Sequence, residues 1–219
     1  MAGSADPSLD ALRVRLAPAI AEAAAFDGWS MAAVEVAAQA SATDPELARF
    51  AFRDGPMAMI AAWIASIDVA MAAALPCEAL AALPIRQRIR KLVWFRLEAI
   101  AGQEEALRRA QAIMAMPQNV AATLAQAWSS ADKMWRLAGD TAADFNHYTK
   151  RTTLGAIYAA VLAVWVGDTS EGKAETAAFL DRRIEGIMRF EKAKAKLLAG
   201  DEEHFSLVRF LGRLRYPAR

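Results

Sequence analysis

Apolar side chains recur at three- and four-residue steps along almost the whole chain, and this periodicity constrains the fold more than any other feature. Leu9, Leu12, Leu16 and Ile20 are the first example. Such spacing places side chains on one face of an α-helix, whereas a half-buried strand needs alternation at every second residue. We find no such alternation with β-branched residues over a useful length. The sequence therefore predicts an all-α fold.

Capping residues, glycine and proline indicate where the helices begin and end. After a break at Gly28, Ser30 is expected to cap a short helix, and Thr43 with Glu46 three residues later has the spacing of a capping box. Pro56 is suited to the first turn of the next helix. About ten helices are predicted, short ones first and long ones later. The first is marked by Leu9 to Ile20 and broken at Gly28, and the third starts at Thr43. The others are predicted over about 31–40, 56–75, 84–101, 104–116, 117–138, 141–166, 172–198 and 203–216.

The first 53 residues have the succession of helices found in the helix-turn-helix of TetR-type regulators. A DNA-reading helix needs Lys, Arg, Asn or Gln aimed at base edges, with phosphate contacts around it. Here Asp44 and Glu46 stand at the start of the second short helix, where they would repel phosphates. We therefore expect a helix-turn-helix-like subdomain that does not bind nucleic acid. A TetR-like transcriptional regulator with a lipid effector is kept as the alternative.

The residues that most catalytic centres use are scarce. The chain has two histidines, His147 and His204, and one cysteine, Cys77, with no phosphate-binding glycine loop. A metal site built from histidine, a nucleophile with its general base, and a nucleotide site are all disfavoured by that inventory. We expect no catalytic residues, no metal and no cofactor, and a function in binding. One cysteine also fits a reducing compartment.

The larger helical domain, predicted over residues 54–199, is rich in tryptophan and methionine. Any one of these side chains is most simply explained as ordinary core. Together, large and adaptable apolar side chains can also enclose a flexible apolar ligand. The predicted ligand-lining residues are Trp63, Met71, Trp94, Trp128, Trp135, Tyr158 and Trp165.

The last segment, residues 200–219, is predicted to form an amphipathic helix with a basic rim. Such a helix suits the surface of an anionic bilayer, although packing on its own domain or on a second subunit would explain the same pattern. The predicted membrane-contacting residues are Leu207, Val208, Arg209, Phe210, Leu211, Arg213 and Leu214. We accordingly expect a protein of the bacterial cytoplasm that is peripheral on the inner membrane.

The stretch 131–151, ADKMWRLAGDTAADFNHYTKR, has more polar and aromatic residues than a helix junction needs. Gly139 can end one helix, and Thr141 with Asp144 can start the next. Capping leaves several residues unexplained, and these suggest a surface that contacts a partner: Met134, Asn146, His147, Tyr148, Lys150 and Arg151.

The pattern AGDxxxDFNxYTKR at 138–151 and the FLDRRI block at 179–184 carry a family resemblance. Over residues 26–191 the chain resembles the coenzyme Q biosynthesis protein nine family, which are lipid-binding accessory proteins of ubiquinone synthesis. The resemblance implies a TetR-like fold without DNA binding and a homodimer formed through the last long helices. It also implies a bound quinone intermediate, isoprenoid or phospholipid, and a C-terminal helix that contacts the membrane.

The resemblance further implies a partner, the di-iron hydroxylase that acts on demethoxyubiquinone. By position, Met134, Asp144, His147 and Tyr148 correspond to the family's partner surface. Helix geometry adds Arg151, which shares a face with Asp144 and Tyr148. Where the family usually has an aromatic residue such as Trp, this chain has His147. The expected function is a non-catalytic protein that binds a quinone intermediate at the membrane and presents it to the hydroxylase.

Overall fold

The computed structural model describes residues 8–141 and 145–200, with the side chains of residues 8–141, 147–187 and 189. Within these residues the chain forms ten α-helices and two short 3₁₀ helices, Pro117–Asn119 and Glu171–Lys173, and no strand. The predicted all-α fold is confirmed. The α-helices are α1 Leu9–Asp27, α2 Met31–Ala40, α3 Pro45–Ala51, α4 Pro56–Ala74, α5 Cys77–Leu80, α6 Ile85–Glu98, α7 Glu104–Met114, α8 Val120–Leu137, α9 Phe145–Gly167 and α10 Ala174–Gly200.

Helix α1 is the centre of the N-terminal part. Its apolar stripe, which includes Leu12, Leu16 and Ile20, is fully buried against α2 and α4. The indole of Trp29 continues this core into the larger part, because its Nε1 donates to the carbonyl of Ala106 at 3.0 Å and its ring lies 5.3 Å from that of Trp63. The predicted division of the chain at residue 53 stays a prediction.

Three local details differ from expectation. The cap of α3 is Asp44 and not Thr43, since the Asp44 carboxylate accepts a hydrogen bond from the amide of Glu46 at 2.8 Å and Pro45 occupies the first helical turn. Ser30 precedes α2 but makes no side-chain capping bond. The short helix α5, which lies between two proline residues, was not predicted because four residues are too few to show a period.

Helix α4 is the one helix among the described residues that is long and apolar enough to cross a membrane. In the fold it is a core helix of the larger part. Asp68 lies on its buried face and forms an ion pair with Arg96 of α6. The residues of α4 that join the core are Met59, Ile60, Ala62, Trp63, Ile67 and Met71.

Helices α8, α9 and α10 form the C-terminal half of the described structure. Helix α8 packs on α9, and α10 packs on both α9 and α6. The turn before α10 is organised by Asp168, whose carboxylate accepts hydrogen bonds from Ser170 and from the amide and hydroxyl of Thr176. Hydrogen bonds from Ser170 and Thr176 lower the pKa of Asp168 well below its usual value, because they stabilise the ionised form.

Candidate functional site

A partly open cavity of about 270 Å³ lies in the larger part, between α4, α6, α7, α8 and α9. Its walls are mostly aliphatic and aromatic, with a small number of polar groups, which is the usual character of a small-molecule site. The lining residues are Ile60, Trp63, Ile64, Ile67, Arg96, Ile100, Leu107, Ala110, Gln111, Met114, Ala115, Thr123, Gln126, Ala127, Ser130, Gly155, Tyr158, Ala159 and Leu162.

The most polar part of the cavity wall is Arg96, whose side chain is 1% exposed. Its guanidinium forms an ion pair with Asp68 and lies 4.9 Å from the centre of the Tyr158 ring. Burial lowers the pKa of Arg96, but the interactions with Tyr158 and Asp68 outweigh burial and raise the pKa above its usual value. Lys133 also contacts Asp68, at 2.7 Å. A buried positive charge is therefore fixed beside an apolar space.

Two of the seven predicted ligand-lining residues, Trp63 and Tyr158, line this cavity. Met71 and Trp165 are buried outside the cavity wall, where Trp165 stacks edge-on against Trp94 with ring centres 6.0 Å apart. Trp135 and Trp128 also lie away from the cavity. The aliphatic lining was missed, although Ile60, Ile64 and Ile67 recur at helical spacing. Lipid binding by any of these residues stays a prediction.

The 138–151 motif forms a buried ion-pair network between α8 and α9. Arg151, 2% exposed, donates to Asp132 at 2.7 Å and to Asp140 at 2.9 Å. Lys150 contacts the second carboxylate oxygen of Asp140 at 2.6 Å, and the backbone carbonyl of Lys150 accepts a hydrogen bond from the indole of Trp135. The motif therefore holds the beginning of α9 on the end of α8.

The pKa values of Asp132, Asp140 and Arg151 reflect two opposing effects. Burial disfavours the charged form of each group, and ion pairing favours it. For Asp140, burial raises the pKa, but hydrogen bonds from Lys150 and Arg151 outweigh burial and lower it below its usual value. The pKa of Asp132 is lowered in the same way by Arg151 and Arg136, against the effect of burial. The pKa of Arg151 is lowered by burial and raised, on balance, by Asp132 and Asp140. All three groups are therefore stabilised in their charged forms.

Gly139 ends α8 as predicted, with a φ of +87° that favours glycine. A Cβ atom at this position would lie 3.1 Å from Nη1 of Arg88. That guanidinium donates to the carbonyls of Ala138, Leu83 and Ala81 at 2.7–2.8 Å. Arg88 thereby joins the start of α6 to the end of α8. A second cleft, of about 470 Å³, lies beside this junction and includes Trp135 and Lys150.

Two residues of the predicted partner surface are not on the surface. Met134 is fully buried in the core, and Arg151 is buried in the ion-pair network. Helical spacing predicted that Arg151 shares a face with Tyr148, but Arg151 is buried against α8 whereas Tyr148 is exposed. Asp144 lies outside the described residues. Of the predicted set, Tyr148 is 60% exposed and His147 is half-buried beside it. Partner binding by this set stays a prediction.

An exposed apolar stripe extends from α8 to the start of α9. Val120 and Leu124 follow one another at four-residue spacing, and Leu124 is 65% exposed. Trp128 comes one turn later and packs on α9, with its ring centre 5.8 Å from that of Tyr148 and 6.0 Å from that of His147. We refer to these five residues as the α8 stripe. Val120, Leu124 and Tyr148 are exposed, and Trp128 and His147 are half-buried. Exposed apolar side chains grouped in this way indicate an interaction surface.

The one basic residue of α3, Arg49, is paired with acidic side chains of the helix-turn-helix-like part. On α3, Arg49 contacts Glu46 and also Glu35 of α2, the latter at 3.0 Å. Hydrogen bonding to Glu35, with the charge of Glu46, raises the pKa of Arg49. The guanidinium of α3 is thus paired within the protein, and the expected absence of nucleic-acid binding stays a prediction.

Several expectations fall outside what the structure describes. All seven predicted membrane-contacting residues lie in 201–219, beyond the described ranges. The predicted homodimer and the predicted absence of a cofactor stay predictions. Among the side chains that the structure describes, those of residues 8–141, 147–187 and 189, no group of three or more His, Cys, Asp and Glu is placed to hold a metal ion.

The fold defines a class. A TetR transcriptional regulator from Nitrosomonas europaea superposes with a TM-score of 0.62, covering 80% of this chain and 96% of the regulator at 21% sequence identity. Similarity at that identity shows the fold alone: the chain has a TetR-like all-α architecture, as predicted. The regulator's role in transcription does not follow for this chain from the comparison.

Within that class, the family model of COQ9 matches residues 120–191. The rat ubiquinone biosynthesis protein COQ9, mitochondrial, is 38% identical over 102 residues, which is 47% of this chain and 33% of the rat protein. The Schizosaccharomyces pombe protein of the same name is 28% identical over 170 residues, or 77% of this chain and 67% of the yeast protein. This chain is similar to the COQ9 proteins of ubiquinone biosynthesis, which confirms the resemblance expected from the motif.

The alignments also show how much of the relatives' length is matched, and they correct the expected location of the protein. The chain matches about a third of the length of the rat and human relatives. The rat, human, yeast and fly relatives are all named as mitochondrial proteins, so the expectation of a bacterial cytoplasmic location, peripheral on the inner membrane, was wrong. A single cysteine indicates a reducing compartment but does not distinguish one such compartment from another.

Proposed function

We propose that this protein is a non-catalytic accessory protein of ubiquinone biosynthesis that binds a lipid in the cavity between α4 and α6–α9. The ligand class is a quinone intermediate, an isoprenoid or a phospholipid. The protein would take the ligand up at the membrane and present it to the hydroxylase that acts on demethoxyubiquinone. The observation that carries the proposal is the cavity of about 270 Å³ with mostly apolar walls.

The size and chemistry of the cavity support an apolar ligand that is only partly enclosed. Small-molecule pockets usually span about 300–1,000 Å³, so this space suits a ring or a few isoprene units, with the rest of a long tail outside. Each buried methylene group stabilises the complex by about 0.8 kcal/mol. A few isoprene units therefore suffice for measurable affinity without any strong polar contact.

The α8 stripe is the surface that we assign to the hydroxylase. It follows directly on the cavity, because Thr123, Gln126 and Ala127 of the same helix line the ligand space. A partner that binds this stripe would lie beside the bound ligand. The position of Tyr148 in the stripe agrees with the partner residue that the family resemblance implies.

The lipid-binding part of the proposal is tested by closing the cavity. Ala159 of α9 lines the cavity from an exposed position, so Ala159→Trp blocks the space with little disturbance of the core. Ala156 is exposed on the same helix and does not line the cavity, which makes Ala156→Trp the matched control. We expect Ala159→Trp to weaken displacement of a fluorescent fatty-acid probe by geranylgeraniol at least tenfold, with Ala156→Trp unchanged. Equal binding by both variants would show that the lipid does not bind in this cavity.

A further inference from the structure

Arg96 lines the cavity, and one nitrogen atom of its guanidinium is buried without a hydrogen-bond acceptor among the described residues. Of the three nitrogen atoms of Arg96, Nη1 contacts Asp68 and Nη2 donates to the hydroxyl of Ser130 at 3.1 Å. Among the described residues, Nε of Arg96 has no hydrogen-bond acceptor. Buried polar groups are almost always hydrogen-bonded in folded proteins, so an unmet donor in the wall of a cavity indicates what the cavity binds.

The charges around Arg96 favour an oxygen acceptor at the same place. A guanidinium does not lose its proton in proteins, so Nε always remains a donor. Asp68 is shared by Arg96 and Lys133, which leaves one net positive charge from two cations and one carboxylate. A polarised carbonyl or a phenolic oxygen would be stabilised beside that charge, because an ionised donor strengthens a hydrogen bond. A hydrocarbon chain would gain nothing there.

We propose that Arg96 is a ligand-binding residue that donates from Nε to a ring oxygen of the bound lipid, so that an oxygenated ring, and not the tail, occupies the inner end of the cavity. This inference rests on the proposed function. The ligand class becomes a prenylated quinone or phenol. The ring of Tyr158, 4.9 Å from the guanidinium, provides an aromatic surface beside the same place. The apolar tail would leave toward the open side, past Ala159.

The test uses two probes with the same carbon skeleton, 2-prenyl-1,4-benzoquinone and prenylbenzene, and titration calorimetry on the full chain. We expect the wild-type protein to bind the quinone about tenfold more tightly, which corresponds to about 1.4 kcal/mol. That preference would oppose the hydrophobic effect, which favours the less polar probe. The ¹⁵Nε–H resonance of Arg96 should shift with the quinone and stay in place with prenylbenzene.

Matched variants distinguish the hydrogen bond from Arg96 from binding in the cavity as a whole. Arg96→Met combined with Asp68→Leu replaces the buried pair with apolar side chains, an exchange that folded proteins often tolerate. This double variant should bind the quinone and prenylbenzene with equal affinity. Lys133→Met removes the half-exposed cation of this cluster and leaves Nε of Arg96 in place, so it should lower the preference for the quinone less than the double variant does.

Equal wild-type affinity for the two probes would overturn the role of Arg96 and leave the lipid cavity intact. If the wild-type protein bound neither probe, both the proposed function and the proposed role of Arg96 would be contradicted. Both results come from the wild-type protein, so the conclusion does not depend on the folding of any variant.

Discussion

At the junction of α8 and α9, the two carboxylate oxygens of Asp140 contact Lys150 and Arg151 separately. Its pKa is lowered in the folded protein, so its contribution to stability is present above the unfolded-state pKa of about 3.9 and is lost as the pH falls through the folded-state value. We expect Asp140→Asn to reduce the free energy of unfolding by about 3 kcal/mol at pH 7, since it breaks a buried ion pair.

Denaturant unfolding at a series of pH values from neutral to acid checks this expectation. The wild-type free energy of unfolding should fall more steeply than that of Asp140→Asn as the pH decreases below about 5, so the two curves should converge in acid. Parallel curves would show that the carboxylate of Asp140 does not stabilise the fold through its charge.

Tyr148 is the exposed residue of the α8 stripe that also corresponds, by the family resemblance, to a partner-binding position. Tyrosine is prominent among the residues that dominate binding energy at protein interfaces. We expect Tyr148→Ala to weaken capture of the demethoxyubiquinone hydroxylase about tenfold or more in a pull-down, while the unfolding free energy changes by less than about 1 kcal/mol. Val69→Ala, at an exposed position on α4, is the control and should bind normally. Undiminished capture by Tyr148→Ala would refute the assigned surface.

At the scale of elements, the turn between α8 and α9 depends on the backbone conformation of Gly139. A side chain there is strained at a φ of +87° and also meets Arg88, which joins α6 to α8. We expect Gly139→Ala to lower the free energy of unfolding by about 1–3 kcal/mol. A Cβ atom added at Gly186, inside α10, would have no neighbour within 4 Å, so Gly186→Ala should be neutral or stabilise by up to about 1 kcal/mol. Equal effects in thermal or denaturant unfolding would contradict this assignment.

Helix boundaries could be predicted because the residues that set them are local. Helix α2 begins after Ser30 and ends at Ala40 as expected, and Gly139 ends α8. The candidate site could be predicted only in part. Asp68, Arg96 and Ser130 belong to α4, α6 and α8, and a single sequence does not show which helices meet. For the same reason, Met134 and Arg151 were predicted to lie on a partner surface, whereas both are buried between helices.

At the scale of the whole molecule, the TetR-like arrangement of helices has two notable features. The only basic side chain of α3 forms ion pairs within the protein, and the larger part contains an apolar cavity. Arg49, the basic residue of α3, contacts acidic side chains, and the larger part contains the cavity next to the α8 stripe. The proposed ligand space and the proposed partner surface share helix α8, so a bound lipid and a bound hydroxylase would lie side by side. The central claim is therefore that the cavity carries a lipid.

Mass spectrometry of an organic extract from the purified protein tests that claim most directly. We expect a quinone, isoprenoid or phospholipid that co-purifies in near-stoichiometric amount with the wild-type protein and with Ala156→Trp, and is depleted in Ala159→Trp. A wild-type protein that is free of lipid, and that also takes up no lipid from vesicles, would contradict it.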